Sequence, residues 1–325
     1  MLDGLTGTGK TMFTPLLSSY NRMQNARFEY MFEYISISAK MNKVESDATS
    51  SLLNLLADVK YYDGMLSREV NFRPSDLSSI FKSSKTFHYL KQLFMSDGKS
   101  IDKRLETEKQ ILLLATHQLI GCLDILLNAF NNRLKVIEMV RHPLYLLDHW
   151  ESYIMMHGYN ARDFTLWIEK DGYSLPWFSN GFEDLYVKSK SYDRAVLSIK
   201  SLMNDVFDVA NRVNIKENVI FIPFEKFVLE PEDYLKKIES FIGTTSTRFT
   251  KKILKKQRVP RPSINAGPQK KIYKRYGLSS YDKNITHKED YELKIESAQT
   301  NCSKSAFDEI MNLSDQYEKY FGRWF

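Results

Sequence analysis

Residues Gly4-Leu5-Thr6-Gly7-Thr8-Gly9-Lys10-Thr11 satisfy every fixed position of the pattern G-x-x-x-x-G-K-[ST]. Glycines at these positions let backbone N–H groups converge on an anion, and a helix opening directly after them adds the positive end of its dipole. Lys10 supplies a cation for phosphate oxygens, and Thr11 offers a hydroxyl to a phosphate or a metal ion. The alternative is a glycine-rich turn with a surface lysine. Later in the chain, three short apolar runs each end on a pair that carries a polar side chain: Thr116-His117, Arg141-His142 and Phe224-Glu225. A histidine titrates near neutrality and can accept a hydroxyl proton. A guanidinium can grip a phosphate through two parallel hydrogen bonds. A magnesium-dependent nucleotide hydrolase places an acid at the end of a second strand to hold its metal. Two of these three ends carry a histidine and an arginine instead, which suits a site that handles anions with cations.

The elements that must position these residues follow from the pattern. The runs 111–115, 135–140 and 219–223 have strand length and no polar alternation, as a strand buried on both faces reads. Helical patterns separate them at 123–130, 144–156 and 192–213, and a further helix opens from the glycine loop over 9–23. Strands joined by such crossovers imply a parallel sheet flanked by helices, with ligands at the carboxyl ends of the strands. The stretch 24–40 mixes aromatic and β-branched residues and is compatible with a helix end and a strand. Residues 41–110 read as a mostly helical insertion, with Pro74-Ser75-Asp76 as a helix start. Residues 158–190, rich in Gly, Trp, Phe and Tyr, read as a lid-like insertion. Residues 257–290 read as a long loop, and 303–325 as an amphipathic helix. Only Met1-Leu2-Asp3 precede the glycine loop, so its leading strand is very short or the chain is truncated at its start.

Bulk composition narrows the classes. Of 325 residues, 43% are hydrophobic and 26% charged, an ordinary globular balance that allows one large domain over 1–325. The net charge of +6 suits an anionic ligand, and the basic residues form no single dominant tract of the nucleic-acid type. Their densest cluster, Lys251, Lys252, Lys255, Lys256, Arg258 and Arg261, then Lys270, Lys271, Lys274 and Arg275, is either a solvated face or an anion-binding loop. Two cysteines, Cys122 and Cys302, exclude a disulfide framework and a zinc cluster. No secretory signal and no apolar run of membrane-spanning length is present, so a cytoplasmic location is expected.

Four segments, taken in order, resemble the sulfotransferases that use 3′-phosphoadenosine 5′-phosphosulfate (PAPS). Gly4–Thr11 stands where that family's 5′-phosphosulfate loop stands. Ile111-Leu112-Leu113-Leu114-Ala115-Thr116-His117 is similar to its strand ending in Thr-His, whose histidine is the catalytic base. Lys135-Val136-Ile137-Glu138-Met139-Val140-Arg141-His142-Pro143 is similar to its Arg-Asn-Pro strand, whose arginine binds the 3′-phosphate. Val219 to Phe227, with Pro231 and Phe241-Ile242-Gly243, resembles its "Tyr-Glu-Asp-Leu … Pro … Phe-Leu-Gly" region. Departures accompany the match. Gly7 stands where the family loop has a lysine or arginine, and the cation is Lys10, as in P-loop kinases. His149 stands where the family has a serine on the 3′-phosphate, and Ala115-Thr116 stands where it has Lys-Thr.

The resemblance implies an α/β, three-layer P-loop fold: a central parallel sheet flanked by helices, with helical and aromatic insertions. It implies transfer of a sulfuryl group from PAPS, as co-substrate, to a hydroxyl or amine of a small-molecule or carbohydrate acceptor. His117 is then the base and Lys10 the stabiliser of the leaving phosphate oxygen. Gly4, Thr6, Gly7, Thr8, Gly9, Lys10, Thr11, Met12, Arg141, His149, Arg261 and Lys270 contact the donor, and no metal is expected. No nucleic-acid partner is expected, and the acceptor and oligomeric state are not legible. The alternative is a P-loop kinase or nucleotide hydrolase using ATP and magnesium. A binding module that holds a nucleotide as a switch is a third possibility.

Overall fold

The computed structural model describes residues 1–76, 78–95, 99–157, 163–268 and 285–325. The strands are β1 (Leu2–Gly4), β2 (Arg27–Phe28), β3 (Leu114–Ala115), β4 (Val136–Val140), β5 (Trp167–Lys170), β6 (Tyr173–Pro176) and β7 (Val219–Pro223). Five of them form one sheet in the order β2-β3-β1-β4-β7, with every neighbouring pair parallel. All five residues of β4 are buried, as a strand covered on both faces requires. The three apolar runs of the sequence supply β3, β4 and β7. Four strands of the sheet hand over to a crossover helix: α1 (Lys10–Ser18) follows β1, α2 (Tyr30–Lys40) follows β2, α6 (Leu123–Phe130) follows β3, and α7 (Pro143–Met155) follows β4.

The other helices are α3 (Ser46–Met65), α4 (Thr86–Gln92), α5 (Lys99–Glu108), α8 (Glu183–Lys188), α9 (Ser191–Ala210), α10 (Phe224–Leu229), α11 (Pro231–Ile242) and α12 (Arg248–Lys256), with two C-terminal helices, His287–Asn301 and Lys304–Phe321. Helices α7, α9 and Lys304–Phe321 pack on one another, α3 packs on α2 and α6, and α12 lies on α1. One continuous core joins these layers through fully buried Phe13, Phe32, Trp150, Phe178, Phe227 and Tyr317.

Several sequence expectations need adjustment. The mixed stretch 24–40 resolves into a two-residue strand, β2, followed at once by α2. Pro74 starts no helix: the backbone turns there, with Asp76 N–H donating to the Arg73 carbonyl and the Asn71 amide reaching Asp76 and Ser78. Asparagine and aspartate side chains offered the backbone a turn in place of a first helical turn. The aromatic insertion contains the β5–β6 hairpin and α8, and Trp177 and Phe178 at its end are core residues. Of the stretch 257–290 expected as a loop, residues 287–290 are helical: Thr286 caps the helix His287–Asn301 in a reciprocal capping box with Glu289. Residues 269–284, Lys270 and Lys271 among them, lie outside the described residues.

Candidate active site

The glycine loop joins β1, the central strand of the sheet, to α1. Gly9 precedes the helix at φ 98°, a left-handed conformation, and a Cβ on it would stand 2.5 Å from the ring of Phe224. Only glycine fits both constraints. Thr8 turns inward and donates its hydroxyl to the Leu5 carbonyl at 2.8 Å, so it braces the loop. The Lys10 ammonium folds back under the loop and donates to the carbonyls of Gly4 and Leu5, the latter at 2.9 Å. Burial lowers its pKa, and the nearby carboxylates of Asp3, Glu138 and Glu33 act in the opposite direction. Thr11 is exposed at the loop mouth. The first turn of α1 carries no acidic residue, so the positive end of its dipole is left uncompensated for an anion.

Strand β3 lies beside β1, and its tip is stitched to the loop. Asp3 accepts the Thr116 hydroxyl at 2.9 Å and the Leu119 N–H at 2.6 Å. Gln118, at φ 63°, donates its N–H to the Gly4 carbonyl and its amide to the Thr6 hydroxyl at 3.2 Å. Between these anchors stands His117. Glu33, from the buried face of α2, accepts both its backbone N–H and its Nδ1–H, each at 3.0 Å. The rings of Phe28 and Tyr30 lie nearly parallel to the imidazole, 5.9 and 6.1 Å away. The His117 side chain keeps 30% of its surface exposed, and with Nδ1 committed to Glu33, Nε2 is the nitrogen left to take a proton. Burial raises the Glu33 pKa, while its hydrogen bond and charge interaction with His117 lower it.

Strand β4 flanks β1 on the other side and is followed at once by Arg141. Arg141 Nη1 donates to the Gly7 carbonyl at 2.9 Å, and its Cζ lies 4.7 Å from the centre of the Phe224 ring. Arg261 lies 5.5 Å from the same ring, with Nη2 3.6 Å from the Met12 sulfur and Nη1 on the Ile264 carbonyl. Two guanidinium groups therefore share one aromatic ring that itself packs on Gly9. His149, one helical face along α7, packs so close that a Cβ on Gly7 would be 3.0 Å from its Cδ2. Burial, with Arg141 and Lys10 adding to it, pulls the His149 pKa down to about 4, so it is a neutral ring at neutral pH. Trp150, its neighbour, donates its indole N–H to the Thr6 carbonyl at 3.0 Å.

The structure thus brings Gly4, Thr6, Gly7, Thr8, Gly9, Lys10, Thr11, Met12, His117, Arg141, His149 and Arg261 to one end of the sheet. Two qualifications apply to the sequence reading. Thr8 and Met12 point into the protein, and their side chains support the loop. His142, a weaker candidate beside Arg141, turns away and is fully buried among Tyr145, Tyr291, Tyr317 and Trp324, with Glu318 3.6 Å from its Nε2. Glu225 is structural: it is fully buried, accepts the His142 N–H at 3.1 Å and the Tyr317 hydroxyl at 2.9 Å, and stands 3.8 Å from Arg141 Nε. Glu33, Asp3, Gln118 and Trp150 escaped the sequence reading as site residues. A carboxylate among the aromatics of α2 was the available signal for Glu33.

No family model matches the sequence, and no curated protein matches it. Among solved structures, the chain is similar to the sulfotransferase domain of the Synechococcus PCC 7002 olefin synthase, at 12% identity and TM-score 0.44, over 97% of this chain and 92% of that one. It is similar to the sulfotransferase domain of the curacin biosynthetic pathway at 12% identity and TM-score 0.45, over 96% and 95%. Among the described residues, no helix is long and apolar enough to cross a membrane, and no group of three or more His, Cys, Asp or Glu residues could hold a metal ion.

Proposed function

We propose that this chain is a sulfotransferase that moves a sulfuryl group from PAPS to a hydroxyl or amine acceptor. The observation that carries the reading is the placement of the two strand tips that flank the glycine loop. One presents His117, held by Glu33 through Nδ1, and the other presents Arg141, bonded to the loop itself. In this mechanism the donor's phosphosulfate lies along the loop amides and the N-terminus of α1. His117 Nε2 takes the acceptor proton while the acceptor oxygen or nitrogen bonds to sulfur. The bond from sulfur to the bridging phosphate oxygen breaks, and adenosine 3′,5′-bisphosphate leaves. Lys10 and the loop N–H groups stabilise the charge that grows on that oxygen, so positioning and electrostatics do most of the work. Arg141 and Arg261, both beside the Phe224 ring, are the cations for the 3′-phosphate, with neutral His149 as a hydrogen-bonding neighbour.

A P-loop kinase or nucleotide hydrolase is favoured by one observation: the Lys10 ammonium caps two carbonyls of the loop while Thr11 is exposed at its mouth. Calorimetric titration separates the readings. A sulfotransferase binds adenosine 3′,5′-bisphosphate without magnesium and in preference to ATP. Tight, magnesium-dependent ATP binding with indifference to the bisphosphate would overturn the proposal.

A further inference from the structure

We infer that the exposed face of α12 is an electrostatic entry ramp that captures the anionic nucleotide before it reaches the glycine loop. This inference rests on the reading above, since it needs a polyanionic nucleotide as ligand. Helix α12 is only 9 residues long, yet with its flank it presents Arg248, Lys251, Lys252, Lys255, Lys256 and Arg258, all exposed. Ordinary surface lysines are interspersed with acids and often paired. Among the described residues none of these six has a carboxylate within ion-pair distance: Arg248 and Lys252 instead lie over the ring of Phe249 on their own helix, 5.4 and 5.1 Å from its centre. Helix α12 itself contains no acidic residue.

The direction of the helix makes this charge useful. The start of α12 is fastened to the far end of α1: Thr247 donates to the Ser19 carbonyl at 2.9 Å, and the Ser19 and Thr250 hydroxyls meet at 2.8 Å. From there α12 runs back along α1 toward the glycine loop, for about 13 Å at 1.5 Å per residue. The chain leaving it passes Arg258 and arrives at Arg261, whose guanidinium already touches Met12 of α1 and the Phe224 ring shared with Arg141. The unpaired cations thus form a graded approach that ends at the two arginines of the site. With a screening length of ~8 Å at physiological salt, Lys255, Lys256 and Arg258 act most strongly on an approaching ligand, and Lys251 and Lys252 contribute mainly at low salt. Charges of this kind raise association rates and leave dissociation nearly untouched, because they contact the ligand only in transit.

Stopped-flow binding of adenosine 3′,5′-bisphosphate tests the inference, with the triple variant Lys255→Gln/Lys256→Gln/Arg258→Gln. The control is Lys109→Gln/Lys135→Gln/Lys216→Gln, which removes the same charge at the opposite, amino end of the strands. The expected result is an association rate about 3- to 10-fold lower for the α12 variant at low salt, a flatter dependence of that rate on ionic strength, and an unchanged dissociation rate. An unchanged association rate, an equal loss in the control, or a change carried by dissociation overturns the ramp. Failure of the unsubstituted protein to bind the bisphosphate at all overturns the functional reading instead.

Discussion

In the proposed reaction, Glu33 and His117 form the pair on which the chemistry turns. Replacing the base, His117→Ala, is expected to lower kcat by about 10²- to 10⁴-fold with little effect on bisphosphate binding, measured by turnover with labelled donor. Glu33→Gln separates charge from geometry, because the amide oxygen can still accept both hydrogen bonds from His117. A fall of roughly 10- to 100-fold in kcat with unchanged nucleotide affinity is expected, the range typical of hydrogen-bond supports to reacting groups. Burial raises the Glu33 pKa, so on acidification this carboxylate takes up its proton at a higher pH than an ordinary glutamate. Once protonated it no longer favours the imidazolium that forms in transfer. The kcat profile should therefore show an ionisation above the usual carboxylate range that is missing from Glu33→Gln, whose acid limb keeps only the loss of activity that protonation of the base itself brings. A superimposable acid limb in the two proteins would remove Glu33 from the mechanism.

At the scale of elements, the loop depends on close approach. Gly9→Ala meets both the left-handed backbone and the Phe224 ring, whose shift would disturb the perch of Arg141 and Arg261. Loss of nucleotide binding together with about 1–3 kcal/mol of stability is expected, read by calorimetric titration and denaturant melts. Much of this arrangement was legible beforehand. The glycine pattern placed the β1–α1 turn, and three uninterrupted apolar runs placed β3, β4 and β7 with His117 and Arg141 at their tips. What escaped has physical reasons. β2 has two residues, too few for any periodicity to register. Glu33 sits on the buried face of an aromatic helix, where a single acid reads as a polar interruption. Asp3 precedes the loop and works through hydrogen bonds to Thr116 and Leu119, more than a hundred residues away in sequence, a pairing that only the parallel β1–β3 register creates. At Pro74 the helix-start signal was genuine, and the Asn71 and Asp76 side chains diverted it into a turn.

For the molecule as a whole, the floor of the sheet is electrostatically expensive. Glu138 is fully buried on β4, register-paired with Asp3 on β1. Burial, with the charge of Asp3 adding to it, drives its pKa well above the ordinary 4.5, and Lys10 offsets this in part. A carboxyl raised on folding contributes its stability in full below the unfolded value and loses it as pH climbs toward the folded one. Glu138→Gln is therefore expected to melt close to the parent at about pH 5 and to be the more stable protein at about pH 8.5. Equal melting temperatures across that span would show that Lys10 fully compensates the acid. The opposite end of the chain has its own reach. Through Tyr317 and Glu225 the final helix is wired to the guanidinium that steadies Gly7. Trimming the tail, or fusing a bulky tag to it, would accordingly be felt as weakened nucleotide affinity, far in sequence from any residue that meets a phosphate.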